Sequence, residues 1–296
     1  MPHLLVTAPP GFRFLPTVLS HGWCVLPPFA YDEASATLSR WERLSDGSIV
    51  QLALRKGEDA ETVDVDVSGL DALSAAQADE IRVVVARILS FEQPLQAFYD
   101  LVRDRPAYAW VERAGAGRML VSPMVWEDLA KTLLTTNTTW RMTKDMVRRL
   151  TALGDPAADG VFTFPTPAQV AAHAPESLNA HVRAGYRGAY LHGLALAIAE
   201  ERLDPEAWRD PALSSAEVYR QIRSVKGFGD YAAGALMRLL GRFDQLGLDS
   251  VCRTMFRKQW NQDQPATDRD IAAHYEPFGE WRGLAVWMDV IREDFG

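Results

Sequence analysis

The chain has 296 residues, 48% of them hydrophobic and 24% charged, with a formal net charge of -8. This composition excludes a disordered or fibrous chain, and the length allows two domains of roughly 100 to 200 residues each. Cys24 and Cys252 are the only cysteines, too few for a disulfide framework, a four-cysteine zinc site or an iron-sulfur cluster, and the histidines lack close ligand spacing, so no metal site is expected.

The opening "MPHLLVTAPPGF" has no basic stretch ahead of an apolar one, and no apolar run approaches the roughly 18 to 20 residues that span a bilayer, so no membrane contact is expected. Residues 1–90 then read as strands and turns. "ATLSRWERL", "IVQLALR" and "TVDVDVSGL" follow one another across short polar breaks, the last two near period two, which predicts an antiparallel meander. The stretch "AAQADEIRVVVARILS" closes this region as a helix. Residues 91–296 are patterned as helices with short breaks. The expected fold class is therefore α+β: an N-terminal antiparallel β meander domain over 1–90, then a mainly α-helical domain over 91–296.

Three helix starts stand out. Ser122 before Pro123 suits an N-cap, with Val125, Leu129 and Leu133 on one face; Ser214 and Glu217 have capping-box spacing; Asp230 suits an N-cap for "DYAAGALMRLLG". The last two helices flank "KGFG", a helix-hairpin-helix over about 215–240. Gly227 and Gly229 permit positive φ and close approach of another backbone, and free N–H groups at the second helix start suit a phosphate. An ordinary αα corner with a glycine C-cap is the alternative. Charge distribution adds to the first reading: residues 1–90 hold 7 Lys and Arg against 12 Asp and Glu, whereas residues 223–258 hold 7 against 3.

The stretch "VKGFGDYAAGAL...GRFDQLGLDSVCRTMF" resembles the signature of the helix-hairpin-helix DNA glycosylases, in which the hairpin is followed about twenty residues later by an aspartate in an apolar setting. "LGLDSV" places Asp249 at that aspartate. Lys226 stands where proline is usual. "TTNTTWRMTKDMVRRL" and "RAGYRGAYLHG" are similar to motifs of the 8-oxoguanine branch, and "PFGEWRGLAVWMDV" looks like its closing helix. The resemblance spans about residues 115–292. It implies that Asn137 fills the gap left by a flipped base, that Tyr186 wedges into the stack, that Arg187 faces the orphaned partner base, and that Trp287 stacks on the extruded base. Met142 stands where that branch has an arginine reading the orphaned cytosine. Each residue also has an ordinary reading: Asn137 as a helix cap, Tyr186 and Trp287 as packed aromatics.

Asp249 is the catalytic candidate, able to stabilise an oxocarbenium-like sugar and assist a water, and able to cap the next helix as well. Bifunctional relatives carry a lysine nucleophile two residues after the second hairpin glycine. Tyr231 occupies that position and a phenol forms no Schiff base, so a monofunctional enzyme without efficient lyase activity is expected. The expected DNA contacts are Asn137, Tyr186, Arg187, Lys226, Gly227, Gly229, Tyr231 and Arg253, with Trp287, Trp140 and Tyr231 at the base pocket. Trp23 and Trp281 are further aromatics available to it. The expected substrate is double-stranded DNA with a damaged purine, an alkylated one such as 3-methyladenine or 7-methylguanine taken by cation–π stacking. An oxidised or deaminated purine, or a catalytically silent DNA-binding module, are the alternatives. No cofactor is required, although the resemblance allows a monovalent cation at the hairpin. A cytoplasmic, nucleoid-associated monomer is expected.

Overall fold

The computed structural model describes residues 2–59 and 61–295. Five strands, β1 (His3–Thr7), β2 (Phe29–Asp32), β3 (Thr37–Arg43), β4 (Ile49–Lys56) and β5 (Thr62–Ser68), form one antiparallel sheet in the order β1-β5-β4-β3-β2. Alternation sets its faces: Leu52 and Leu54 of β4 lie opposite Val67 and Val65 of β5, and with Val50 and Val63 on the same face all six side chains are buried. From β2 to β5 the sheet is the expected meander. β1 comes from the opening segment and adds beside β5, so the first strand lies next to the last.

Between β1 and β2 run a short helix, α1 (Phe14–Val18), and a single 3₁₀ turn, Gly22–Val25. Helix α2 (Ala75–Ile88) covers the sheet through Ile81, Val85 and Ile88 and starts in a capping box formed by Ser74 and Gln77. Then follow α3 (Gln96–Val102), α4 (Ala109–Ala114), α5 (Val125–Thr135) and α6 (Trp140–Thr151), a two-stranded ribbon of β6 (Pro156–Ala158) and β7 (Val161–Phe162), and α7 (Pro167–Ala171), α8 (Pro175–Val182) and α9 (Arg187–Ala199). The chain ends in α10 (Ser215–Ser224), α11 (Asp230–Leu239), α12 (Ser250–Trp260), α13 (Asp268–Tyr275), α14 (Arg282–Val290) and α15 (Arg292–Phe295). Among the described residues no helix is long and apolar enough to cross a membrane.

Two of the three expected helix starts differ in detail. Ser214 and Glu217 form the capping box at α10. Ser122 does not cap α5: the cap position is Met124, and the Val125 N–H is instead donated to Glu206 at 2.6 Å, while the Ser122 N–H goes to Asp128. Asp230 is the first residue of α11 and Gly229 occupies the cap, because the Asp230 carboxylate turns outward to accept the Tyr219 hydroxyl at 2.9 Å and to pair with Arg223.

Helix α5 is buried from Val125 to Leu134, on its charged side as well as its apolar one. Arg40 of β3 holds Glu127 through two bonds of 2.9 and 2.8 Å, and Lys131 donates to the same carboxylate at 2.6 Å. Burial alone would raise the Glu127 carboxyl; the two cations outweigh it and bring it to about 2. Next to it burial pushes Asp128 up to about 6, although Ser122 N–H and Trp23 Nε1–H both donate to it. One apolar core runs from the sheet through α5 to α11. A second gathers α3, α4 and α12 to α14, and Trp287 packs against both. In the second core Asp289 accepts from Tyr108, Trp260 and Tyr275, which fixes α14.

Removing one partner of a buried ion cluster leaves uncompensated charge, so Glu127→Gln is expected to destabilise the fold by about 3 to 5 kcal/mol. Urea unfolding at neutral pH reads this as a lower midpoint, and a midpoint equal to the parent's would show that the cluster does not tie sheet to helix.

Candidate active site

The inner part of the site depends on a glycine pair. A Cβ on Gly234 of α11 would stand 2.5 Å from the Gly247 Cα, so only glycine lets the loop before α12 lie directly on α11. That contact brings Asp249 to the N-cap of α12, where one carboxylate oxygen, Oδ1, accepts the Cys252 N–H at 2.7 Å. Tyr231, in the first turn of α11, is a neighbour: burial raises its phenol, and the Asp249 charge adds to the shift. Its hydroxyl is 3.4 Å from Thr135 Oγ1 at the end of α5. The same two causes, burial first and Asp249 second, push the Cys252 thiol up to about 12, so it stays protonated.

Two turns along α11 from Tyr231 is Arg238, 4% exposed. Its Nε and Nη2 donate to the carbonyls of Gly283 and Leu246 at 3.2 and 2.8 Å, and its guanidinium carbon lies 4.5 Å from the centre of the Trp287 ring. Trp287 Nε1 donates to the Ser20 carbonyl at 2.8 Å, which brings the N-terminal segment into the site. His21 follows, half-buried, 2.6 Å from the Leu120 carbonyl through Nε2. A carbonyl only accepts, so Nε2 carries the proton. Burial pulls the His21 pKa down to about 3, against the Leu120 bond and with help from Arg238 and Lys131. The imidazole is therefore neutral at physiological pH. Gly22 is next: a Cβ there would fall 2.5 Å from the ring of Trp140, which is 42% exposed at the rim.

The outer part is the hairpin between α10 and α11. Gly227 has φ +99°, and a Cβ would strike Leu133 Cδ1 at 2.6 Å. Gly229 has φ −78° and room for a side chain, so of the two glycines only Gly227 is required by conformation. The Lys226 ammonium lies 4.9 Å above the Tyr190 ring. A groove of about 480 Å³ opens here, lined by Asn137, Tyr186, Tyr190, Lys226, Gly227 and Gly229 among others. Asn137 adopts φ +45° and is exposed; its Nδ2 donates to the hydroxyl of Tyr186, itself 52% exposed.

Arg187 does not face outward as expected. It is buried, and its guanidinium donates to the carbonyls of Thr136 and Asn137, which lie past the end of α5 and have no helical partners, and to that of Ala184 just before α9. Arg187 thus holds the 136–137 loop in place. Arg253 is engaged in a two-bond ion pair with Asp268, both exposed. Trp23 is buried and donates to Asp128, and Trp281 lies between Phe98 and Phe243, so neither offers a free face. Asp249, Tyr231 and Trp287 come together inside; Asn137, Tyr186, Lys226, Gly227 and Gly229 meet around the groove. Sequence reasoning missed His21 and Arg238. The available signal was a lone arginine in the apolar run "GALMRLL".

No family model and no curated protein sequence matches the chain. Solved structures do match. A 3-methyladenine DNA-glycosylase from Archaeoglobus fulgidus superposes with a TM-score of 0.72 at 18% identity, over 100% of this chain and 99% of that one. An 8-oxoguanine glycosylase/lyase from Clostridium acetobutylicum, in its apo form, gives 0.73 at 15% identity over 98% and 96%. The chain has the fold of the helix-hairpin-helix DNA glycosylases. A third structure, described as MBOgg1 in complex with a low affinity DNA ligand, gives 0.74 at 17% identity over 99% and 96%. The likeness takes in the N-terminal sheet as well as the helices, in keeping with the expected α+β class.

The low pKa of His21 makes a prediction about stability. A histidine held neutral contributes stability that is present above its ordinary pKa of about 6.5 and is lost as pH falls towards its folded value. The urea midpoint should therefore drop between pH 7 and pH 4 by more in the parent than in His21→Gln. Equal drops would show that the imidazole is not held neutral.

Proposed function

We propose that the protein is a DNA glycosylase that extrudes a damaged purine from duplex DNA and hydrolyses its glycosidic bond, leaving an abasic site uncut. The observation that carries this reading is Asp249. One oxygen is fixed by the Cys252 N–H, and among the described residues the other has no hydrogen-bond partner. It is thereby oriented and left available to a water or to a sugar developing positive charge. The names of the structures that share the fold, which describe removal of methylated and oxidised purines, favour the same class of reaction.

Bases inside a duplex are out of reach, so the nucleotide must be turned out and the hole filled. Asn137 and Tyr186 suit the filling role: both are exposed, they brace each other, and Arg187 fixes the loop beneath them. Backbone N–H groups around Gly227, Gly229 and Tyr231, at the start of α11, suit a phosphate, and Lys226 adds a salt-sensitive contact. Arg253 can join by exchanging its exposed pairing with Asp268, since such pairs are weak. The resemblance allows a monovalent cation at the hairpin carbonyls; one of these, the Phe228 carbonyl, accepts from Arg223 Nη1 at 3.3 Å.

Strand cleavage would need an amine. Tyr231 offers a phenol that burial keeps protonated, Lys226 lies on the far arm of the hairpin, and Lys131 is wholly buried against Glu127. Water is then the nucleophile. The alkylated purine expected from the sequence requires an aromatic face open to a cation, and Trp287 already has Arg238 against it.

Duplexes carrying 7-methylguanine, 8-oxoguanine or hypoxanthine, incubated with the protein and then heated with or without alkali, test the reading. Cleavage of at least one is expected with alkali only, and Asp249→Asn should slow it on the order of a hundredfold or more. Cleavage without alkali would overturn the monofunctional assignment; tight DNA binding with no base released from any duplex would favour the silent module.

A further inference from the structure

Arg238 is a buried cation that, among the described residues, has no ion-pair partner. Two backbone carbonyls take Nε and Nη2, which leaves Nη1 without a protein acceptor. Burying an unpaired charge is costly, so such a group is expected to have a use. The surroundings indicate which. The guanidinium lies on Trp287, the aromatic expected to stack on an extruded base, and within electrostatic reach of Tyr231, Asp249 and Cys252. A cationic base brought to that place would meet a like charge in a weakly screened setting.

His21 supplies the complementary group. Its Nε2 proton is engaged by the Leu120 carbonyl, so Nδ1 is a bare lone pair, an acceptor. The bond from Trp287 to the Ser20 carbonyl holds this segment against the same ring that carries Arg238. A guanidinium donor on the Trp287 ring and an imidazole acceptor on the segment bonded to that ring match a lactam edge, in which a carbonyl oxygen adjoins an N–H.

We infer that Arg238 and His21 make the site select neutral purines with a lactam edge, such as oxidised guanine or deaminated adenine, over cationic alkylated purines; this rests on the glycosylase reading above. Arg238 Nη1–H donates to the lactam oxygen, and His21 Nδ1 accepts the lactam N–H. Undamaged guanine has such an edge too, but it stays paired and stacked, and the cost of extruding it opposes its entry. Adenine presents the reverse order of donor and acceptor at its 1,6 edge and is refused.

The test measures single-turnover release of hypoxanthine, 8-oxoguanine and 7-methylguanine from duplexes, each rate divided by spontaneous loss of the same base. It compares the parent with Arg238→Met, Arg238→Lys and His21→Leu, and binding of a duplex containing a tetrahydrofuran abasic analogue reports intact folding. The parent should favour at least one neutral base over 7-methylguanine by about tenfold or more, and Arg238→Met should lose most of that preference without losing analogue binding. Arg238→Lys, which keeps the charge, should continue to refuse 7-methylguanine. Preference of the parent for 7-methylguanine overturns the inference and leaves the glycosylase reading standing. An equal loss on all three bases in Arg238→Met, with analogue binding intact, also overturns it. If Arg238→Met no longer binds the analogue, His21→Leu decides: slower release of hypoxanthine with analogue binding intact supports the inference, and an unchanged rate sinks it. Release of no base by the parent sinks both.

Discussion

Glu127 sits out of water between Arg40 and Lys131, and the rest of the molecule is arranged around that fact. A carboxylate in the interior is tolerated only while both cations and their hydrogen bonds are in place. Arg40 belongs to the sheet and Lys131 to the central helix, so the cluster fixes how the N-terminal strands lie on α5. Once α5 is set, its far end places Thr135 by Tyr231 and Leu133 under Gly227, and the loop beyond it carries Asn137.

The same device recurs wherever two remote segments must meet. Arg187 joins α9 to the loop after α5, and Arg238 joins α11 to the first turn of α14 and the loop before α12. In both, a planar group with five donors satisfies backbone carbonyls at helix ends and in loops. The difference lies in what remains unsatisfied. Arg187 has its donors directed at a loop and is structural, whereas Arg238 retains a free donor and lies on an aromatic ring within electrostatic reach of Asp249. An acidic protein thereby keeps one unpaired positive charge near the place where it would handle a base.

Chemically, the arrangement divides labour between rim and interior. Residues on glycine-permitted or left-handed backbone, half-buried Gly227 and exposed Asn137, form the rim, where a nucleic acid would lie. The interior is a set of groups held in one protonation state: His21 neutral, Tyr231 and Cys252 protonated. Burial is the first cause in all three, which suits a site that uses fixed donors and acceptors and one carboxylate.

Local chemistry made much of this legible in the sequence. Period-two alternation marked β4 and β5, capping-box spacing marked α10, and the hairpin glycines with an aspartate about twenty residues on marked the fold and Asp249, because each depends on residues close in the chain. β1 was not legible, since its pairing with β5 is set by the sheet and not by its own pattern. Nor were the helix starts at Ser122 and Asp230, where Glu206, Asp128 and Tyr219 compete for the capping groups from elsewhere. Arg187 and Arg238 are both arginines near glycines, with nothing local to tell the clamp from the free donor. His21 gave no signal because its acceptor, Leu120, and the cations that help lower its pKa, Arg238 and Lys131, come from about a hundred or more positions away. The sequence by itself determined the elements, the hairpin and the carboxylate, because short-range sterics and hydrogen bonding select them. Only the tertiary structure decided which charges are compensated and which aromatic faces are free, because these depend on burial and on partners that folding alone brings within reach.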